Sequence, residues 1–498
     1  MDAEVAKTLG ELERKLSELE RTLGEIGHGG EAPPERDQGQ EQDQRHERPS
    51  PQPSLQPSGW GRIVDETLES PPPRAPQPPR VNPFKPTVRA QEPPPRAPVP
   101  PSAAELLRFR DRLEQAAYEL THEYDELLGR LSYAAMPAAT GPTISFARGV
   151  PSLDIIDVEG LREAAVRAFD SDPEGTTAYG TAVGYPRLRH WIADRHGVEV
   201  ERVLLTNGSL QADAFLFDQL VREGDEVIVE SPTYDRTLLS LRERGARVHA
   251  VALQQDGIDT DALARLLAGG VRPQLAHVIP NFQNPAGYTL SLAKREALLA
   301  LAREHGFMVL EDDPYADLRF SGAPAPTMLS LDGDRVVYAS SFTKTVCPGV
   351  RVGYLVGPPD LIAGIARRAT NTYISPGMVS ESIVYEFCAS GAIERSIETV
   401  RSALAQRAAT LGQALERDLP EARFVAPQGG YFMWVELPEG TDVEDLHHAA
   451  AERGVAFVKG SDFLLEGGAN TLRLAYSGVT PEQIRTGVAR LAEAYRSL

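Results

Sequence analysis

Seven short apolar runs recur along the C-terminal part of the chain: VLLTN (203–207), EVIVES (226–231), ARVHAVAL (246–253), LAHVIP (275–280), MVLED (308–312), RVVYASS (335–341) and VGYLVG (352–357). They are rich in β-branched residues and mostly lack polar–apolar alternation, as strands buried on both faces of a parallel sheet do. Stretches with helical spacing, such as SLAKREALLALAREHG (291–306), separate several of them. The pattern predicts an open, doubly wound α/β sheet with helices on both faces. The last hundred residues mix a long helical stretch (394–419) with the strand-like YFMWVEL (431–437) and TLRLAY (471–476), which predicts a smaller α+β domain. Ala103 to about Ser132 reads as a further helix.

The pattern is different before residue 103. Val5, Leu9, Leu12, Leu16, Leu19, Leu23 and Ile26 alternate in steps of four and three, an a/d seam of about three heptads. That spacing suits either a single amphipathic helix packed on its own protein or a short coiled coil docking another chain. Residues 29–101 hold 20 of the 40 prolines with many Gln, Arg, Glu and Ser, so they bury too little apolar surface to offset their ordering entropy and read as a disordered linker. Within it, SGWGRIVDETLES (58–70) reads equally as a docking motif or as linker.

Composition narrows the function classes. The chain has 498 residues, 41% hydrophobic and 24% charged, ordinary for a soluble globular protein, and a formal net charge of −20. Residues 1–101 hold 13 basic and 17 acidic side chains, so no basic tail hides behind the average, and a nucleic-acid surface is not expected. Two cysteines, Cys347 and Cys388, exclude a disulfide framework and have no metal-ligand spacing. The charged N-terminus is not a secretory pattern, and no apolar run is long enough to span a bilayer. A cytoplasmic enzyme is expected, with no metal and no membrane.

Ligands of an open α/β sheet bind at the carboxyl ends of its strands, and five such ends carry polar residues. VLLTN is followed by Gly208, Ser209, Leu210 and a helical stretch, an arrangement that frees backbone N–H groups for an anion such as phosphate. EVIVES leads to Tyr234, placed to lie on a flat ligand or simply to pack. LAHVIP breaks into Asn281-Phe282-Gln283-Asn284-Pro285-Ala286-Gly287, where Asn284 either caps a turn or points from a rigid base. MVLED ends in Glu311, Asp312 and Asp313 before Tyr315. Buried carboxylates there either cap a turn or serve as counter-ion to a protonated pyridine nitrogen. RVVYASS leads to Ser341, Thr343 and Lys344, with Arg351 seven residues on, which suits an amine forming a Schiff base beside a bound phosphate.

The order of these five sites resembles that of fold-type-I pyridoxal 5'-phosphate (PLP) enzymes. From about residue 140 to 498, roughly 70% of the chain, the sequence is similar to the class I/II aminotransferases, in the branch of the α-aminoadipate and kynurenine aminotransferases and the catalytic halves of MocR-type regulators. The expected organisation is residues 1–28 as a short amphipathic or coiled-coil helix and 29–102 as linker, from their own pattern, then 103–170 as an N-terminal helix and arm, 171–375 as a large PLP-binding domain and 376–498 as a small domain. The resemblance implies Lys344 as the Schiff-base lysine and proton carrier, and Asp312 on the pyridinium nitrogen. Asn284 and Tyr315 would meet the ring hydroxyl, Tyr234 the ring face. Gly208, Ser209, Leu210, Ser341, Thr343 and Arg351 would surround the phosphate, joined by Tyr179 from the neighbouring subunit of a homodimer. Arg473 would grip the α-carboxylate, and Gly149 and Arg148, in ISFARGVPS, would pass over the substrate, where Arg148 either meets an acidic side chain or faces solvent. The implied reaction moves an amino group from an α-amino acid to a 2-oxo acid. Oxidases, cyclases and lyases share the same motifs. A PLP-sensing regulator is the other reading, but residues 1–101 lack a helix–turn–helix pattern.

Overall fold

The computed structural model describes residues 143–498. The helix expected over 1–28, the proline-rich linker and the helix expected from Ala103 lie outside the described residues. An opening strand, β1 (Ile144–Ser145), precedes eight strands of one sheet: β2 (Val203–Thr206), β3 (Glu226–Ser231), β4 (Arg247–Gln254), β5 (Gly257–Ile258), β6 (Pro273–Val278), β7 (Met308–Asp312), β8 (Val336–Ser341) and β9 (Gly353–Val356). Their order is β2-β9-β8-β7-β6-β3-β4-β5. All seven apolar runs are strands of this sheet, and its centre is parallel from β8 through β7, β6 and β3 to β4.

One strand runs against the expectation of parallel pairing. β9 is antiparallel to both β8 and β2, with Ser341 opposite Gly353. Only residues 342–352 join β8 to β9, too few for the helical crossover that parallel neighbours need. That short return carries Lys344. Burial on both faces gives an antiparallel strand the same apolar pattern as a parallel one, so direction was not legible.

A second sheet, ordered β10 (Arg423–Phe424), β11 (Phe432–Glu436), β14 (Thr471–Ala475), β13 (Val458–Lys459), builds the small lobe, and β12 (Val455–Ala456) pairs in parallel with β1. The packing distributes the chain between two cores. Ile144, Phe146 and Ile155 are buried among Leu404, Leu411, Val435 and Leu472 of the C-terminal lobe. The helices Val158–Ser171 and Met378–Ala389 instead contribute Ala164, Val384 and Phe387 to the core under the large sheet. The chain therefore leaves the large lobe near residue 392, where the 27-residue helix Ala392–Asp418 begins, and the small lobe takes its first residues from the segment at 144–155.

Candidate active site

All five polar strand ends meet at the carboxyl edge of the large sheet, around a cavity of about 310 Å³ that the small lobe closes with Phe432 and Arg473. At one end lies an anion site. The helix Ser209–Leu220 starts there with Gly208 at φ 89°, and a Cβ at Gly208 would sit 2.2 Å from Arg351 Nη2, so only glycine lets the guanidinium come down on the turn. Arg351, itself at φ 49°, donates to the Asn207 carbonyl at 3.2 Å. Ser341 Oγ lies 2.6 Å from Thr343 Oγ1 and accepts the Thr343 N–H at 3.0 Å. Free helix N–H groups, hydroxyls and a guanidinium converge as a phosphate needs.

The floor is Asp312, only 5% exposed at the end of β7. Its Oδ2 is 3.5 Å from His277 Nε2, and its Oδ1 is buried with no hydrogen-bond partner in the protein. An ionised ring nitrogen is the donor such an oxygen lacks. Asp213 lies behind it, its pKa pushed well up by burial and then by the Asp312 charge. Burial likewise lifts Glu230 to about 8. Burial thus favours the neutral acid at both Asp213 and Glu230, behind the cavity lining.

Lys344 reaches in from the β8–β9 return, its Nζ donating to the Gly149 carbonyl at 2.8 Å. Burial lowers its pKa to about 8, with the Arg473 and Arg351 charges adding to the shift and Asp312 opposing it. The other two lysines among the described residues are held by carboxylates, Lys294 by Asp256 at 2.6 Å and Lys459 by Glu444 at 2.5 Å. Of these three lysines Lys344 is the one that lines the cavity, and its pKa is lowered.

Arg473, on β14, is 7% exposed and stacked between Phe432 and Phe463, with its guanidinium carbon 4.4 and 4.7 Å from the ring centroids. Its Nη1 donates to Asn284 Oδ1 at 2.9 Å and its Nη2 to the Ala147 carbonyl at 2.6 Å, while Nε is buried without a partner. Asn284 therefore presents its amide N–H₂ to the cavity. Tyr315 packs at 5.7 and 5.9 Å from the rings of Tyr431 and Phe432. Burial holds its pKa well above the ordinary phenol value and lifts Tyr234 to about 12, so both remain hydrogen-bond donors.

Ser209, Leu210, Tyr234, Asn284, Asp312, Tyr315, Ser341, Thr343, Lys344, Arg351, Arg473 and Gly149 all line the cavity. Gly208 lies just beneath, against Arg351. Arg148 does not line it. The segment enters backbone first: a Cβ at Gly149 would lie 2.4 Å from Phe432 Cζ, and the carbonyls of Ala147 and Gly149 point at Arg473 and Lys344. The Arg148 side chain is exposed and outside the lining. Tyr179 is 87% exposed and far from being covered by its own subunit. Asp235, Ile279, Pro314 and Phe432 also line the cavity and were missed. Asp235 and Pro314 are sequence neighbours of motif residues, whereas Phe432 arrives only through the packing of the two lobes.

A phosphate site, an unpartnered buried carboxylate and a low-pKa lysine around one cavity define an enzyme that holds an aromatic, phosphorylated aldehyde as cofactor. Residues 142–491 match the family of class I and II aminotransferases, and the chain belongs to it. It is 36% identical over 361 residues to a 2-aminoadipate transaminase of Thermus thermophilus, covering 71% of this chain and 90% of that one. It is 30% identical over 370 residues to an aromatic-amino-acid aminotransferase of Thermococcus litoralis, covering 72% and 89%. Among solved structures, the α-aminoadipate aminotransferase of Thermus thermophilus in complex with a phosphopyridoxyl-leucine superposes with a TM-score of 0.69 at 35% identity, covering 71% of this chain and 92% of that one. The protein is a PLP-dependent aminotransferase of fold type I.

Proposed function

We propose that Lys344 holds the cofactor and carries the substrate proton, that Asp312 is its electrostatic floor and that Arg473 grips the α-carboxylate of the amino donor. Bound PLP supplies an electrophilic aldehyde and a cationic conjugated ring that takes up the electron pair left at Cα. The observation that carries the reading is the Asp312 Oδ1, buried and unpartnered in a cavity shared with Lys344 and Arg473. Two of the three Arg473 nitrogens are pinned by Asn284 and Ala147, which fixes the plane of the guanidinium before substrate arrives. A carboxylate held in that plane turns the Cα–H toward Lys344. With a pKa of about 8, the Lys344 amine is within reach of neutrality near pH 7, so it would accept the proton at Cα and deliver it to the cofactor's aldehyde carbon. Tyr315 and Asn284 donate to the ring hydroxyl, and Tyr234 covers one ring face.

A homodimer completes the site in this reading, with Tyr179 reaching the partner's phosphate. Leu210, Ile374 and Val379 are likewise exposed, at 45%, 55% and 43%. The bond from the Gly377 N–H to Asn207 Oδ1 and the Gly180–Met378 contact draw these segments together beside the phosphate turn. Both cysteines are free thiols, which supports a cytoplasmic setting. Residues 1–28 are a candidate docking helix for a partner protein.

The test is an amino-transfer assay with one α-amino acid and one 2-oxo acid, following the new amino acid and oxygen together. The expected result is stoichiometric amino acid without oxygen uptake, abolished in Lys344→Ala. Oxygen uptake without transfer overturns the reading in favour of an oxidase.

A further inference from the structure

Five charged side chains line the cavity: Lys344, Arg351 and Arg473 against Asp312 and Asp235. The function proposed above uses four of them, on the aldehyde, the phosphate, the α-carboxylate and the ring nitrogen. Asp235 is left over. It opens the helix Asp235–Glu243 directly after Tyr234, and its carboxylate is 29% exposed. Its one ion-pair partner, Arg236 at 3.5 Å, is itself 58% exposed, and such pairs hold little charge in check.

The Asp235 charge is felt at the outer end of the cavity. It is among the groups that favour the charged form of Arg473 and that push Asp462 upward, where burial is the larger cause. Asp462 belongs to the turn Gly460–Phe463, which is tied to the strand end beside Asp235 by the Thr233 N–H on the Phe463 carbonyl at 2.9 Å. The ring of Phe463 stacks on Arg473, so both carboxylates flank the carboxylate grip. With the α-carboxylate on Arg473 and Cα addressed by Lys344, Asp235 is the charged lining group left to meet the donor side chain. Beside the weakly held Arg236, Lys459 is paired with Glu444 at 2.5 Å, and Arg148 is exposed outside the lining.

We infer that Asp235 selects the amino donor by the charge of its side chain, preferring an amino acid that ends in an ammonium or guanidinium and disfavouring a dicarboxylic one. This rests on the reading of Arg473 as the α-carboxylate grip. An acidic residue in the first turn also stabilises its helix through the dipole, a role indifferent to substrate. The two roles separate in a donor series of matched length: lysine, norleucine and 2-aminoadipate, each measured as kcat/KM with a common 2-oxo acid.

Wild type is expected to rank lysine above norleucine above 2-aminoadipate. Asp235→Asn should lower the lysine-to-norleucine ratio roughly tenfold and raise the 2-aminoadipate-to-norleucine ratio, as loss of one charge at short range requires. Asp462→Asn should move both ratios the same way by less, because that carboxylate is more exposed to screening. Proportional loss with all three donors in Asp235→Asn, or a wild type that prefers 2-aminoadipate to lysine, overturns the selection. Norleucine keeps the layers apart: transfer from norleucine with unmoved ratios removes only the charge selection, while no transfer from any donor removes the proposed function beneath it.

Discussion

Asp312 and Asp313 are adjacent, both are buried, and each has one carboxylate oxygen with no hydrogen-bond partner in the protein. Their chemistry is nonetheless different, because successive side chains leave a strand end in opposite directions. Asp312 enters the cavity of Lys344 and Arg473. Asp313 faces a separate cavity of about 370 Å³ walled by Arg195, His196, Tyr338 and Tyr354, and its Oδ2 accepts from Asn281 at 2.8 Å. Burial lifts the Asp313 pKa to about 8, with Glu311 adding and Arg295 opposing. At neutral pH Asp313 is chiefly the uncharged acid. A buried carboxylate at a strand end is thus catalytic equipment only where its cavity also holds the cations of the reaction.

The contrast breaks most visibly in turnover. Asp312→Asn is expected to lower kcat by a hundred- to a thousand-fold, the usual cost of removing a fixed charge from a reacting centre. Asp313→Asn, which keeps the shape and the neutral state, should stay within about threefold. Steady-state kinetics of the two purified variants checks both, and equal losses would collapse the distinction.

A smaller effect sharpens it. Capture of PLP by cofactor-free protein needs the neutral Lys344 amine, so its rate should rise with pH up to about 8 and level off above. Asp312 supports the Lys344 ammonium, so Asp312→Asn should move that midpoint lower, whereas Asp313→Asn should leave it in place. Stopped-flow absorbance of cofactor uptake across pH 6–10 reads the midpoint.

A last effect is on stability, and its sign is opposite to the usual carboxylate case. Below its ordinary pKa of 3.8, Asp313 is protonated whether the chain is folded or not. Between 3.8 and about 8 the unfolded chain ionises there while the folded chain does not, so wild type loses stability as pH rises through that window. Thermal unfolding of Asp313→Asn relative to wild type should therefore become steadily more favourable to the variant from pH 4 to pH 8. A constant difference would contradict the raised pKa.

Much of this was legible before the structure. The seven apolar runs are strands because only a doubly buried strand tolerates EVIVES or VVYASS without alternation, and the motif residues stand at their carboxyl ends because sheet topology puts loops there. Three things were not legible. The direction of β9 depends on the length of the Lys344 return, not on its own residues. The backbone-first entry at Gly149 depends on Phe432 standing where a Cβ would be, an approach between residues 283 positions apart. Phe432, Phe463 and the neighbourhood of Asp235 and Asp462 are assembled by lobe packing, for which no short motif exists.

The central claim is that the Lys344 amine is where the cofactor is held, and covalent trapping tests it most directly. Purified full-length protein loaded with PLP is reduced with borohydride, digested and mapped by mass spectrometry. The account predicts a phosphopyridoxyl group on Lys344 and on no other lysine, with none recovered from Lys344→Ala. A group carried by Lys294 or Lys459, or unchanged labelling in Lys344→Ala, contradicts it.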